Sequence, residues 1–274
     1  MSSQPNTQLS TKLRSFYAVY RKEMGHYFVS PIAYVLVGVF LLLSAFFFDR
    51  ILTIMMQNAL EQEMQSMRFG MPPQIDVPSI VMRNFFGLLS TLILFFTPML
   101  TMGVYAEERK RGTMELLMTS PITDLEIVLG KFLASLSLFA IMLLPTASYL
   151  VFMFFRSDPM PSWKLLAAGY LGVILLGGSV LSLGSFLSSL TENQLIAAVL
   201  TFGATLILWV LDFGGSGAGT VLGQVLQYLS VIRHYDDFTR GIVDTSALVY
   251  YGSFIFLCIF LTVRSLESMR WRRA

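Results

Sequence analysis

The densest run of chemically capable side chains is Glu107-Glu108-Arg109-Lys110-Arg111-Gly112-Thr113-Met114-Glu115-Leu116-Leu117-Met118-Thr119-Ser120-Pro121. Two adjacent carboxylates followed by guanidinium groups could activate water, provided histidines or a metal stand within hydrogen-bond reach. Membrane proteases that process prenylated proteins use a Glu-Glu-x-x-x-Arg arrangement with later histidines. Here Arg111 comes one residue early, His26 follows Lys22 where such a site needs a phenylalanine, and His234 falls on the far side of the membrane in the topology below. Hydrolysis by this run is therefore excluded on geometry. Phosphate chemistry fails as well. A P-loop needs Gly-x-x-x-x-Gly-Lys-Ser/Thr, whereas Gly130-Lys131 is followed by Phe132 and has Leu125 at the first glycine position. One cysteine, Cys258, rules out an internal disulfide, and two histidines leave little for a metal cluster.

What remains for the run is a mechanical role. Gly112 breaks the preceding helix, Thr113 can cap a new one, and Glu115 in its first turn favours the helix dipole. Pro121 disfavours helix at Ser120. The pattern predicts a helix of about two turns with Met114, Leu117 and Met118 on one face, too short to stand alone. Thr123 and Glu126 then form a capping box opening the next helix. Spacing alone leaves two readings open: a charged turn that fixes topology, or a helix that transmits force between the two apolar segments flanking it.

Those flanking segments settle the class. Of 274 residues, 55% are hydrophobic and 13% charged, with a net charge of +2. That excludes a disordered chain, a basic nucleic-acid binder and most soluble enzymes. Six apolar stretches near 30–48, 85–106, 127–155, 165–187, 194–212 and 247–263 are long enough to cross a bilayer, and in hydrocarbon such runs must be helices. The expected architecture is an all-α integral membrane protein with six transmembrane helices. No cleavable signal peptide is expected, the first apolar run being a permanent span. Twelve of the nineteen basic residues cluster at the termini, in the 107–122 loop and at Lys131. The positive-inside rule accordingly predicts cytoplasmic termini and a cytoplasmic 107–122 loop.

The other segments carry weaker signals. Leu13, Phe16, Tyr17, Tyr20 and Met24 share one helical face, with Lys12, Arg14, Arg21, Lys22 and Glu23 on others, predicting an interfacial helix over 12–28. It reads equally as a topological anchor or as a working part. The first external loop, 49–84, predicts helical extensions of its spans with a break at Met71-Pro72-Pro73. Pro98 and Pro145 are candidate kink points. Small residues of the fourth span, Gly169 to Ser189, predict close packing, more within the subunit than between subunits. After the break Gly214-Gly215-Ser216-Gly217-Ala218-Gly219, the spacing of Leu222, Val225, Leu226, Leu229 and Ile232 predicts one amphipathic or re-entrant helix on the external side. His234 with Asp236 and Asp237 reads as a solvated surface group. Span interiors hold hydroxyls such as Ser90, Thr97, Ser135, Thr201 and Thr205 but almost no ionisable groups, which argues against ion coupling. A passive channel or scaffold subunit is the alternative from the residues alone.

The 107–122 run, continuing to Val128-Leu129-Gly130-Lys131-Phe132, closely resembles the signature of ABC-2-type transporter permeases, nearest to the gliding-motility-type subfamily. The stretches Arg233-His234-Tyr235-Asp236-Asp237-Phe238-Thr239-Arg240-Gly241-Ile242-Val243-Asp244 and Leu261-Thr262-Val263-Arg264-Ser265-Leu266-Glu267 are similar to others of that group. The resemblance extends over nearly the whole chain. It implies a type V ABC exporter fold: a half-transporter in a bacterial inner membrane that pairs with a second permease copy or a paralogue and docks a cytoplasmic ABC ATPase. ATP and Mg would sit in that ATPase, with no cofactor held by this chain. It also implies an elbow helix at 12–28 and a coupling helix at 113–120. The ATPase-coupling positions would be Glu107, Glu108, Arg111, Gly112, Thr113, Glu115, Leu116, Leu117, Ser120 and Pro121. Membrane lipid and an accessory extracytoplasmic protein complete the implied partners, with no nucleic acid among them. The dimer contact is expected around the first and fifth spans.

Overall fold

Long helices dominate because long apolar runs meet explicit start signals. In the computed structural model, which describes residues 5–69, 76–118, 122–157, 160–215 and 221–271, the elements in chain order are α1 (Pro5–Val29), α2 (Pro31–Phe69), α3 (Val77–Thr101), α4 (Ala106–Lys110), α5 (Thr113–Met118), α6 (Asp124–Arg156), α7 (Trp163–Leu190), α8 (Gln194–Gly215), α9 (Val221–Leu229), α10 (Val231–Thr239) and α11 (Thr245–Trp271). No strand occurs among the described residues. Six helices (α2, α3, α6, α7, α8 and α11) are long and apolar enough to cross a membrane, as the six apolar stretches predict.

The starts follow capping chemistry. The Asp76 carboxylate accepts from the Ser79 backbone N–H at 3.2 Å to open α3. At α6 the expected capping box is present: the Thr123 hydroxyl accepts from the Glu126 N–H, and the Glu126 carboxylate accepts from the Thr123 N–H. Helix α3 starts at Val77, well before the predicted 85, and α2 runs on to Phe69, so the segment between the first two spans is largely helical extension, as expected. At about 1.5 Å per residue the 39 residues of α2 span roughly twice a hydrocarbon core of about 30 Å. Pro72 and Pro73 lie outside the described residues.

Burial divides the spans into two sets. The most apolar stretches of α3, α6 and α7 are 61–67% buried within the chain, against 17–28% for α2, α8 and α11. Helix α7 is the central post, and its glycines explain why. A Cβ on Gly169 would lie 2.2 Å from the Phe86 ring, on Gly172 2.5 Å from Phe238 Cβ, on Gly177 2.2 Å from the Phe139 ring, and on Gly184 2.2 Å from the Thr101 hydroxyl. The small residues of the fourth span therefore serve packing inside the subunit.

The segment between the fifth and sixth spans departs from the sequence reading. One helix through Ile232 was expected. Instead Ser230 ends α9 and its hydroxyl accepts from the Arg233 N–H at 3.4 Å, starting α10 in a new direction. The Leu-Val spacing did not register that serine as a cap. Helix α10 buries Val231, Tyr235 and Phe238 against α7, while α9 leaves Val225 and Tyr228 exposed.

Candidate functional site

The second span does not pass directly into the charged run. Helix α3 ends at Thr101, Met102–Tyr105 form a turn, and α4 begins at Ala106, whereas an unbroken span to 106 was expected. The cause is Ser188 on α7. Its hydroxyl accepts from the backbone N–H groups of Tyr105 and Ala106, both at 3.2 Å, and donates to the Met102 carbonyl at 3.1 Å. One side chain thus satisfies three backbone groups freed by the turn.

The five-residue α4 holds Glu107, Glu108, Arg109 and Lys110. It ends where Gly112 adopts φ +70°, a conformation open to glycine at little cost, so the expected helix break is present. The Thr113 hydroxyl donates to the Glu108 carbonyl at 3.3 Å. Thr113 is therefore the first residue of α5 and ties it back to α4, a different role from the expected cap preceding the helix. Met114 is buried with Val104, Tyr105, Val128 and Leu266, while Glu115 is exposed. Leu116 and Leu117 belong to the α5 backbone, their side chains lying outside the described residues, as do Ser120 and Pro121 altogether.

Beneath α4 sits the principal finding. Lys131, in the second turn of α6, is 2% exposed. Its ammonium donates to Glu23 Oε1 on α1 at 3.0 Å and to the Val104 carbonyl in the turn at 3.0 Å, and lies 3.1 Å from Glu108 Oε2 on α4. It also stands 5.4 Å from the Tyr105 ring centroid. Lys22 approaches Glu108 Oε1 at 3.5 Å from the solvent side. Two ammonium groups and two carboxylates thus form a neutral cluster joining three elements far apart in the chain. A buried lysine without these partners would be costly. Beside the cluster, burial and the charge on Glu23 push the Tyr27 hydroxyl well above its ordinary pKa, so it stays neutral.

Two expectations are corrected here. Lys131 reads in the sequence as one of the basic residues that fix topology, at the start of the third span; it is a buried structural charge. Glu23 reads in the sequence as lying off the apolar face of the 12–28 helix, the face that holds Tyr17. The helix is longer, Pro5–Val29, and its buried face is Val19 and Glu23 flanked by Tyr20, while Tyr17 is 60% exposed. The rotation follows from α6: Gly130 lets Val19 and Tyr20 approach (a Cβ there would meet Val19 at 2.8 Å), and the Tyr20 hydroxyl donates to Ser137 at 3.1 Å. Helical spacing gave the amphipathic character but could not choose among adjacent faces.

The remaining charges fasten the same region. The Arg109 guanidinium donates to the Ser189 carbonyl at 2.8 Å, near the negative end of α7, and pairs with Glu192 at 3.1 Å. Arg111 pairs with Glu107 one turn back. Arg270 on α11 reaches Asp124 at the start of α6 at 3.1 Å. A cleft of about 470 Å³ opens between α1 and α4, walled by Gly25, His26, Gly103, Glu107 and Arg111. Of the sequence candidates, Glu107, Glu108, Arg111 and Thr113 come together around this cleft, while Gly112 makes the adjoining turn and Glu115 stands exposed on α5. Glu23, Arg109, Lys131 and Ser188 were missed as members.

No group of three or more potential metal ligands occurs among the described residues. At the end of the bundle opposite α4 and α5, His234 stacks flat on Tyr250, with ring centroids 4.0 Å apart and planes inclined by 2°, and its Nδ1 lies 3.1 Å from the Ser230 carbonyl. It is a packed side chain, where a solvated surface group was expected.

The chain is similar in sequence to known proteins. The family model described as ABC-2 family transporter protein matches residues 17–266. Two curated relatives, each called probable multidrug ABC transporter permease YbhR, from Escherichia coli strain K12 and Escherichia coli O157:H7, are 26% identical over 206 residues. The matched region is 73% of this chain and 54% of each relative, so the chain spans about half the length of the curated relatives it matches.

Proposed function

The chain belongs to the ABC-2 family of transporter proteins, and from that premise we propose that it is the membrane-spanning permease subunit of an ATP-binding cassette exporter. ATP and Mg bind in a separate cytoplasmic ATPase, and the permease carries out no hydrolysis of its own. Two permeases, identical or paralogous, pair in a bacterial inner membrane with their termini in the cytoplasm. The weakly buried spans α2 and α8 leave apolar surface for such a pairing. Cargo moves outward.

The observation that carries this reading is the Lys131 cluster. A two-turn element such as α5 has no stability of its own. To move the spans it must be fastened to them, and Glu108, one turn upstream, is held by Lys131 of the third span and through it by Glu23 of α1. A push delivered to α5 by a closing ATPase pair passes through α4 into α1, α3 and α6 together. Arg109 extends the connection to α7.

The test is purification of the tagged protein from its host in mild detergent, followed by assay of transport and ATP hydrolysis. A P-loop ATPase is expected to accompany the wild type. Glu115→Lys is expected to lower transport per ATP at least about tenfold, since a reversed charge on the exposed face of α5 would face the ATPase directly, while the six-span topology stays intact. Undiminished transport by that variant would refute the coupling role.

A further inference from the structure

We propose that the free face of α1 is a binding site for the phosphate of an anionic membrane lipid, distinct from the coupling role proposed for its buried face. Helix α1 has two faces with opposite electrostatics. The one against α6 carries the carboxylate, Glu23, neutralised by Lys131. The other presents Arg14, Tyr17, Ala18, Arg21, Lys22 and Gly25 around a shallow open trough of about 690 Å³. Arg14 and Arg21 stand two turns apart, and Ala18 and Gly25 between and beyond them keep the trough floor low. Among the described residues neither arginine forms an ion pair, and no carboxylate lines the trough. A phosphate lowered onto this face meets guanidinium donors from two directions, the bidentate chemistry for which arginine is suited.

The position of the helix identifies the source of that phosphate. One residue, Ser30, separates the end of α1 from the first span at Pro31. Glu23 reaches Lys131 in the second turn of α6, so this part of α1 lies beside the start of the third span. Exposed Tyr17, Phe28 and Val29 accompany the cations on the outward side. Basic and aromatic groups together at the span boundary match a headgroup layer, where anionic lipids concentrate and each basic residue adds attraction. Lys22 links this face to the interior. It lines the trough and is also 3.5 Å from Glu108, so a bound phosphate competes with Glu108 for Lys22 and is sensed by the coupling segment.

The experiment places the full chain in nanodiscs of phosphatidylcholine with a minor fraction of phosphatidylglycerol and counts retained phosphatidylglycerol by native mass spectrometry after release. The wild type is expected to retain it selectively. The double variant Arg14→Gln/Arg21→Gln is expected to lose about tenfold in retention, and Arg21→Gln alone to lose part of it. Arg264→Gln, which removes another exposed cation, paired with Glu267 on α11, is expected to leave retention unchanged. Retention that survives the double variant, or falls equally with Arg264→Gln, overturns the proposal in favour of diffuse surface charge. Loss of ATPase co-purification in the double variant with lipid retention intact would overturn it as well, assigning the face to the protein partner.

Discussion

The two ends of this helical bundle are closed by different chemistry. At the end that carries α4 and α5, the joint is ionic: Lys131 lies among Glu23, Glu108 and the Val104 carbonyl, with Lys22 completing the charge balance. At the opposite end α9 and α10 are held mainly by neutral contacts, the ion pair from Asp236 of α10 to Arg83 of α3 at 3.4 Å being about half exposed on both sides. The Tyr235 hydroxyl donates to the Phe86 carbonyl at 2.8 Å, Tyr251 to Val231 at 2.7 Å and Tyr250 to Leu229 at 2.8 Å, and His234 stacks on Tyr250. An ionic joint in a dry site is strong only while all members are in place, because removing one leaves an uncompensated charge. Tyrosine-to-carbonyl contacts are individually small and independent, so they fail gradually. The first arrangement suits a joint that must move as a unit; the second suits a cap that stays shut until its neighbours shift.

The largest test of this contrast is Lys131→Met. It strands two carboxylates and is expected to cost about 3–5 kcal/mol, read as a lowered thermal unfolding midpoint, with transport abolished. The triple variant Glu23→Gln/Lys131→Met/Glu108→Gln removes every stranded charge and is expected to recover the midpoint without recovering transport, separating stability from transmission. A wild-type midpoint in Lys131→Met would dissolve the distinction between the two ends.

A smaller effect is expected at the other end. Gly172→Ala places a methyl 2.5 Å from Phe238 Cβ and must push α10 away from α7. A cost of about 1–3 kcal/mol is expected, together with increased labelling of a cysteine introduced on α10, while transport per ATP is maintained. Unchanged labelling would mean that α7 absorbs the strain.

The smallest is Tyr235→Phe. It removes a single hydrogen bond to Phe86 and is expected to cost about 1 kcal/mol, with coupling untouched. A loss of coupling comparable to that of Lys131→Met would show that the external end shares in transmission.

Much of this molecule is written in local pattern. Six spans, the glycine break at Gly112, the Thr123–Glu126 capping box and the packing role of the α7 glycines depend on apolar length, on backbone freedom and on residues three or four apart, all visible in one dimension. The 107–122 segment is legible as a candidate site for the same reason. Its fastening is not. Whether Lys131, at the start of the third span, is a solvated topological cation or a buried one depends on Glu23, 108 positions away, and on the rotation of α1 that Gly130 permits. The turn after Thr101 depends on Ser188 of another span, whose hydroxyl is indistinguishable in sequence from the other small residues of α7. Sequence alone determined which segments are apolar enough to cross a membrane and where α6 starts, because hydropathy and capping act over a few residues. Tertiary structure alone decided which charges are buried together, because the free energy of an ion depends on what surrounds it in space.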